Sequence, residues 1–235
     1  MNITIIYSNK RKKISSTYNI AQLLKDKVLK NGRVFEFYLP ESMPHVCTGC
    51  YACIKGNEEK CGGYSYLEPI KQAIEASDLI VFCSPVYAYH ISGQMKTLLD
   101  HLAYMWMVHR FNADMMKKQS VIIVTAGGGG LKSAVKDIKD SLDFWGISRT
   151  HVITQSVWEY DWRNMPEKFK KSIIKKVEKV SKKILKYGND LVPSLKVRII
   201  FYIFRYLHKN EKMNPIDDKY WLDRGYTTGK QPWKI

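Results

Sequence analysis

The sequence predicts an α/β fold in which a five-stranded parallel sheet is covered by helices on both faces. Two observations support this prediction. Short runs such as NITIIYS and SVIIVTA are apolar on both faces of a strand. Between these runs lie segments with the apolar period of amphipathic helices. Strands that alternate with helices run parallel, so five of them suit the doubly wound strand order 2-1-3-4-5.

Predicted strands and helices alternate regularly along the chain. We predict strands at residues 2–8, 33–39, 78–86, 120–126 and 149–157. We predict helices at about residues 16–31, 67–75, 93–105, 131–145 and 168–187. Serine and threonine can cap the first helix and Gly32 can end it. An irregular segment with four cysteines, residues 44–66, interrupts this alternation after the second strand.

Composition indicates one globular domain, with 45% hydrophobic residues in a chain of 235. No run reaches the roughly 18–20 apolar residues of a membrane span, and the first residues lack the order of a signal peptide. We therefore expect a cytoplasmic location. The net charge of +16 favours anionic partners, but much of it follows the solvated face of helix 168–187. Without a nucleic-acid-binding motif, we expect no nucleic-acid partner.

In a doubly wound sheet, ligands bind at the carboxyl ends of the strands where the strand order reverses. The loops after strands one, three and four meet there. Residues 8–17 form a loop that is rich in hydroxyls and cations and leads into a helix. Such a loop suits a phosphate, because a helix N-terminus attracts anions. An ordinary helix cap explains the serines equally well. Neither a dinucleotide fingerprint nor a P-loop is present.

The other two loops suit a flat conjugated ring. Residues 84–90 (SPVYAYH) supply an apolar and aromatic wall. Residues 125–130 (TAGGGG) let the backbone come close to such a ring, although a flexible turn is the simpler interpretation of the glycines.

The three loops, with SGQMKTLLD after SPVY, resemble the NAD(P)H-dependent FMN reductase branch of the flavodoxin-like superfamily over about residues 1–187. The resemblance implies that the first loop holds the FMN phosphate, through Ser8, Lys10, Ser15, Ser16 and Thr17. It implies that the other loops hold the isoalloxazine ring, through Pro85, Val86, Tyr87, Ala88, Ala126, Gly127, Gly128 and Gly129. The first loop is more basic than the family pattern and lacks the family's usual glycine.

The resemblance also implies a reaction in which NAD(P)H reduces bound FMN, which then reduces a small-molecule or protein acceptor. It implies no catalytic side chain, because the cofactor supplies the chemistry. An electron carrier with protein redox partners is the alternative, but flavodoxin carriers are usually acidic, and the charge of +16 favours the enzyme. A basic surface-binding protein without flavin is a third hypothesis.

The four clustered cysteines follow the pattern C-x2-C-x2-C-x7-C at Cys47, Cys50, Cys53 and Cys61. Such tight spacing on an irregular loop can wrap one metal centre. The motif resembles that of the iron–sulfur flavoproteins of the same superfamily, which implies a [4Fe–4S] cluster beside FMN. A zinc site, redox-active thiols or ordinary loop residues remain alternatives. Cys83 lies within a predicted strand and is expected in the core.

Residues 188–235 form a predicted C-terminal helical and aromatic extension beyond the domain of residues 1–187. Its apolar run, residues 199–204, has basic flanks at Lys196, Arg198, Arg205 and Lys209. Residues 196–209 therefore suit a helix at a membrane surface, whereas packing on the domain or on a second subunit is the favoured alternative. On this basis we expect a homo-oligomer.

Overall fold

The computed structural model describes residues 1–159, 161–188, 191–211 and 213–234. Residue 160 lies outside the described residues, as do residues 189, 190, 212 and 235 of the predicted extension. The described chain contains one five-stranded parallel sheet in the order β2-β1-β3-β4-β5. The doubly wound arrangement predicted from the sequence is confirmed.

The element boundaries lie within a few residues of the predicted ones. The strands are β1 (Ile3–Tyr7), β2 (Val34–Tyr38), β3 (Leu79–Pro85), β4 (Gln119–Ala126) and β5 (Arg149–Ser156). The helices are α1 (Ser16–Val28), α2 (Leu39–Ser42), α3 (Tyr64–Ala76), α4 (Gly93–His101), α5 (Leu131–Trp145), α6 (Glu167–Tyr187), α7 (Leu195–Asn210) and α8 (Pro215–Asp223). None of the described helices is long and apolar enough to cross a membrane.

The fourth helix ends four residues earlier than predicted. After His101 the chain tightens into a 3₁₀ turn over Ala103–Met105. Leu102, Tyr104 and Met105 are all buried. These three positions do not share one face of an α-helix, so the tighter turn is what places them all in the core.

Two apolar cores lie on the two faces of the sheet. On one face β1 packs against α1 and α6, for example through Ile5, Leu24 and Val177. On the other face β3 packs against α4 and α5, for example through Phe82 and Ile138. Burial of both faces explains the continuous apolar character of the strands.

The C-terminal helices pack through a third apolar cluster. The rings of Phe201 in α7 and Trp221 in α8 stack with their centroids 5.2 Å apart. Both rings contact Phe111, which lies in the segment between α4 and β4. Buried Asp217 of α8 accepts hydrogen bonds from Arg110 and lies 2.8 Å from His109 Nδ1. Aromatic packing and a buried ion pair therefore join the extension to the domain.

The sheet contains a histidine that should make stability depend on pH. The Nε2 of His151 in β5 lies 3.0 Å from Gln119 Oε1. Burial, followed by the charges of Lys183 and Arg149, lowers the pKa of His151 from 6.5 to about 4. Because the unfolded chain takes up this proton at a higher pH than the folded chain, the free energy of unfolding should fall as pH drops from 6.5 towards 4. We expect a loss of about 1–2 kcal/mol, after allowance for partial solvent screening.

Urea unfolding of the natural protein and of His151→Gln across this pH range measures the effect. The variant should lose less stability than the natural protein on acidification. Ser120→Ala, which changes a buried hydroxyl of the sheet that does not titrate, should keep the natural pH dependence. The same acid sensitivity in the natural protein and His151→Gln would contradict the assignment.

Candidate functional site

Four loops meet at the carboxyl edge of the sheet. The first residue after β1, β3 and β5 donates in each case a backbone hydrogen bond to a neighbouring strand. These bonds run from Ser8 N to Cys83 O (3.0 Å), from Val86 N to Thr125 O (2.8 Å) and from Val157 N to Ala126 O (2.8 Å). The loops after β1, β3, β4 and β5 therefore lie side by side at this edge of the sheet.

These loops enclose a cavity of about 160 Å³. The predicted residues that line it are Ser15, Ser16, Pro85, Val86, Tyr87, Ala126 and Gly127. The structure adds Asn9, Arg11, Thr125, Val157, Trp158 and Glu159. This volume is smaller than the roughly 300 Å³ or more of a usual ligand pocket, so a larger ligand would extend beyond the mouth of the cavity.

The first loop presents a helix N-terminus to the cavity. Ser15 caps α1 by accepting from Tyr18 N (3.5 Å), and its Oγ lies 3.0 Å from Thr17 Oγ1. The first turn of α1 contains no acidic residue. Since the first N–H groups of a helix lack intrahelical partners, this end of the cavity suits an anion.

Two other predicted phosphate residues of the first loop have distinct surroundings. The Oγ of Ser8 is buried and has no hydrogen-bond partner among the described residues. A buried hydroxyl without a partner is costly, and a phosphate oxygen would satisfy it. Lys10, by contrast, is exposed and reaches towards Glu41, with Nζ 3.6 Å from Oε1. The loop therefore fits a phosphate group at Ser15 and Ser16, whereas Ser8, Lys10 and Thr17 lie outside the cavity lining.

A strained turn positions the loop after β3. Tyr87 and His90 exchange backbone hydrogen bonds of 2.9 and 3.0 Å. Between them, Ala88 and Tyr89 have φ angles of 46° and 69°, in the left-handed region that costs about 1–2 kcal/mol per residue. Asp137 stabilises the turn, because its Oδ2 lies 2.9 Å from His90 Nδ1 and accepts from the next backbone N–H. Tyr87 is thus held at the mouth of the cavity.

The glycines after β4 have two different roles. A Cβ at Gly127 would meet no protein atom within 4 Å, so packing within the protein does not require glycine there. At Gly130, φ is +86°, and a Cβ would lie 2.7 Å from Val86 Cγ1 and 2.8 Å from Tyr89 O. Gly127 therefore leaves space in the cavity, whereas Gly130 permits the close approach of two loops.

The loop after β5 is the part of the site that the sequence argument did not include. Trp158 lines the cavity, and 87% of its surface is exposed. Ser156 Oγ donates to Gly128 O (3.0 Å) and joins this loop to the glycines. The signal was available in the sequence, since β5 neighbours β4 and an aromatic residue follows directly after its end.

The four clustered cysteines share one segment, but the described structure does not gather them into a metal-binding group. Cys47 and Cys50 are exposed, Cys53 and Cys61 are half-buried, and all are free thiols. Cys61 Sγ lies 3.4 Å from Nδ1 of His101. Within residues 1–159, 161–188, 191–211 and 213–234, no set of three or more His, Cys, Asp or Glu side chains is arranged to hold a metal ion. As arranged, these side chains do not fit a [4Fe–4S] cluster.

The segment is nevertheless anchored at its third cysteine. Arg110 donates to the carbonyl oxygens of Cys53 and Ile54 and pairs with Glu58 (2.7 Å) and Asp217. The guanidinium thus joins the cysteine segment to α8. Cys83 is separate from this cluster; it is buried in β3, and burial raises the pKa of its thiol well above the usual value.

Fold and site together define a flavodoxin-like α/β protein with a cleft at the carboxyl edge of its sheet. The family model described as NADPH-dependent FMN reductase matches residues 1–161, and the chain belongs to this family. A solved FMN-dependent NADH-azoreductase from Bacillus anthracis, in complex with FMN, has the same fold. It superposes with a TM-score of 0.61 at 13% identity and covers 78% of this chain and 99% of its own.

Two curated relatives are similar in sequence. An iron-sulfur flavoprotein from Archaeoglobus fulgidus is 25% identical over 143 residues, which are 60% of this chain and 62% of the relative. An iron-sulfur flavoprotein from Clostridioides difficile is 29% identical over 142 residues, which are 59% of this chain and 60% of the relative. The chain therefore matches about three fifths of the length of each relative.

The contrast between the two glycines gives a stability prediction. Gly130→Ala should lower the free energy of unfolding by at least about 2 kcal/mol, because a left-handed residue acquires a Cβ that clashes with the loop after β3. Gly127→Ala adds the same methyl group in open space and should change stability by less than about 0.5 kcal/mol. Urea unfolding measures both variants. Equal stability of the two variants would contradict the role assigned to Gly130.

Proposed function

We propose that this chain is an FMN-dependent oxidoreductase that takes electrons from NADH or NADPH and passes them to an acceptor. The observation that carries the proposal is the cavity, in which the hydroxyl-rich, aromatic and glycine loops come together. Membership of the NADPH-dependent FMN reductase family supports the same conclusion. FMN, when bound, supplies the hydride and electron chemistry.

The residues of the chain have three tasks in this proposal. The N-terminus of α1, with Ser15 and Ser16, holds the phosphate end of the cofactor. Of the residues predicted to hold the ring, Pro85, Val86, Tyr87, Ala126 and Gly127 line the cavity and would hold it. Tyr87 and Trp158 flank the opening and limit which flat molecules can stack on the accessible face.

Anaerobic reduction tests the proposal directly. The protein is loaded with FMN, and the visible flavin absorbance is followed after addition of NADH or NADPH. We expect rapid bleaching with at least one of them, at a rate far above that of free FMN. A protein that binds FMN but is bleached by neither nucleotide would support the electron-carrier alternative. A protein that takes up no FMN would overturn the proposal.

The phosphate assignment is tested by one variant and a matched control. Ser16→Ala removes a hydroxyl that lines the cavity and should weaken FMN binding about tenfold, the value of one hydrogen bond to a charged group. Ser120→Ala removes a buried hydroxyl that donates to Thr150 Oγ1 (2.9 Å) within the sheet. This control should lower stability and leave FMN affinity unchanged. Unchanged affinity in Ser16→Ala would remove Ser16 from the phosphate site.

The cysteine spacing favours a second candidate, an iron–sulfur flavoprotein, and both curated relatives have that name. The described arrangement of the thiols does not itself form the ligand set, so no electron path is assigned through a cluster. Anaerobic purification followed by iron and sulfide analysis tests this candidate. It predicts broad visible absorbance beyond that of flavin, lost in Cys50→Ala and retained in Cys83→Ala. Protein without iron after anaerobic reconstitution would contradict it.

A further inference from the structure

Helix α7 has apolar side chains on two opposite faces. Val197 and Phe201 are buried against the domain. On the opposite face, Ile203 and Tyr206 are 52% and 61% exposed. A helix on a protein surface normally has one apolar face, which points to the core. The outward face of α7 therefore requires a partner or an apolar environment of its own.

The outward face forms a continuous apolar surface. Side chains of α7 alone line a shallow groove of about 380 Å³, namely Ile199, Tyr202, Ile203, Tyr206 and Leu207. Leu195, which is 71% exposed, extends this surface at the helix start. Single exposed apolar residues are ordinary, whereas a contiguous patch marks an interaction site.

The charged side chains of α7 itself are all positive. Helix α7 contains no acidic residue, and Arg198, Arg205 and Lys209 follow one edge of the outward face. These three cations have no carboxylate partner in the part of the chain that the structure describes. On the other edge Lys196 pairs with Asp143 (2.6 Å). A partner that covers the surface therefore needs apolar material bordered by negative charge.

We propose that the outward face of α7 binds the surface of an anionic lipid bilayer. An interfacial helix buries its apolar side chains at the boundary between headgroups and acyl chains, while its basic residues contact anionic headgroups. Tyr202 and Tyr206 suit that boundary, because each has an apolar ring and a polar hydroxyl. The inward face remains packed on the domain, so the helix lies flat on the bilayer.

A second copy of the chain fits this surface less well. In a two-fold symmetric contact through α7, the helix offers no carboxylate to its partner, and the basic edges approach each other. Like charges brought together oppose such a contact. Anionic lipid instead complements the basic edge.

Co-sedimentation of the full chain with vesicles tests the proposal. We expect binding to vesicles of phosphatidylcholine and phosphatidylglycerol, weaker binding to phosphatidylcholine alone, and release from the anionic vesicles by salt. The triple variant Ile199→Ser, Ile203→Ser and Tyr206→Ser should lower the partition coefficient at least about tenfold. Thermal unfolding checks that the variant is folded, and the single variant Ile203→Ser provides the same test with a smaller change.

A matched control separates this face from the basic charge of the rest of the surface. Helix α6 has more lysines than α7 and also exposes Ile174, Leu185 and Tyr187. Replacing these three with serine removes the same types of side chain from another basic helix. The control should bind anionic vesicles within about twofold of the natural protein.

Three results would overturn the proposal. The first is failure of the natural protein to bind anionic vesicles. The second is full binding by the α7 triple variant, which would assign the binding to another basic surface. The third is a dimer in sedimentation equilibrium that the α7 variant dissociates, without vesicle binding, which would make the face a subunit interface. None of these results depends on flavin reduction, so the test is independent of the proposed activity.

Discussion

The backbone ladder of the parallel sheet continues beyond the strand ends, and the site depends on this continuation. Ser8, Val86 and Val157 each donate a backbone hydrogen bond to the neighbouring strand or loop. Helices cover both faces of the sheet, and the central strands β1, β3 and β4 are buried over almost their whole length. Loops with little secondary structure of their own are therefore held at the edge of the sheet by hydrogen bonds to its strands.

The loop after β3 shows how local strain is maintained. Ala88 and Tyr89 adopt left-handed conformations that an isolated peptide would avoid. They persist because Asp137 in α5 holds the turn from one side, and Gly130 lets the next loop approach from the other. Strain of this kind is concentrated at functional sites, where surrounding contacts over-determine the backbone. The turn in this way orients Tyr87 towards the cavity.

The fold could be predicted from the sequence because each strand and each helix of a doubly wound sheet has its own local pattern of apolar residues. Most of the cavity lining could also be predicted, because this topology brings the ends of β1, β3 and β4 together. Trp158 was not predicted, because it follows β5, and only the loops after β1, β3 and β4 had been assigned to the site. Lys10 shows another limit, since a charge in the correct loop can turn towards a surface partner such as Glu41. Spacing also grouped four cysteines on one segment but did not determine whether their thiols converge.

The C-terminal extension acts on the domain through two kinds of contact. Its aromatic cluster covers Phe111, and Asp217 pairs with Arg110, which in turn holds the backbone at Cys53. Since Asp217 is buried, removal of Arg110 would leave its carboxylate with His109 as its remaining side-chain neighbour among the described residues, at a considerable cost in stability. The extension is therefore connected to the cysteine segment through Asp217 and Arg110. The face of α7 that does not pack on the domain forms an apolar surface. A ligand on that outer surface would contact α7, whose opposite face packs on α8 through Phe201 and Trp221.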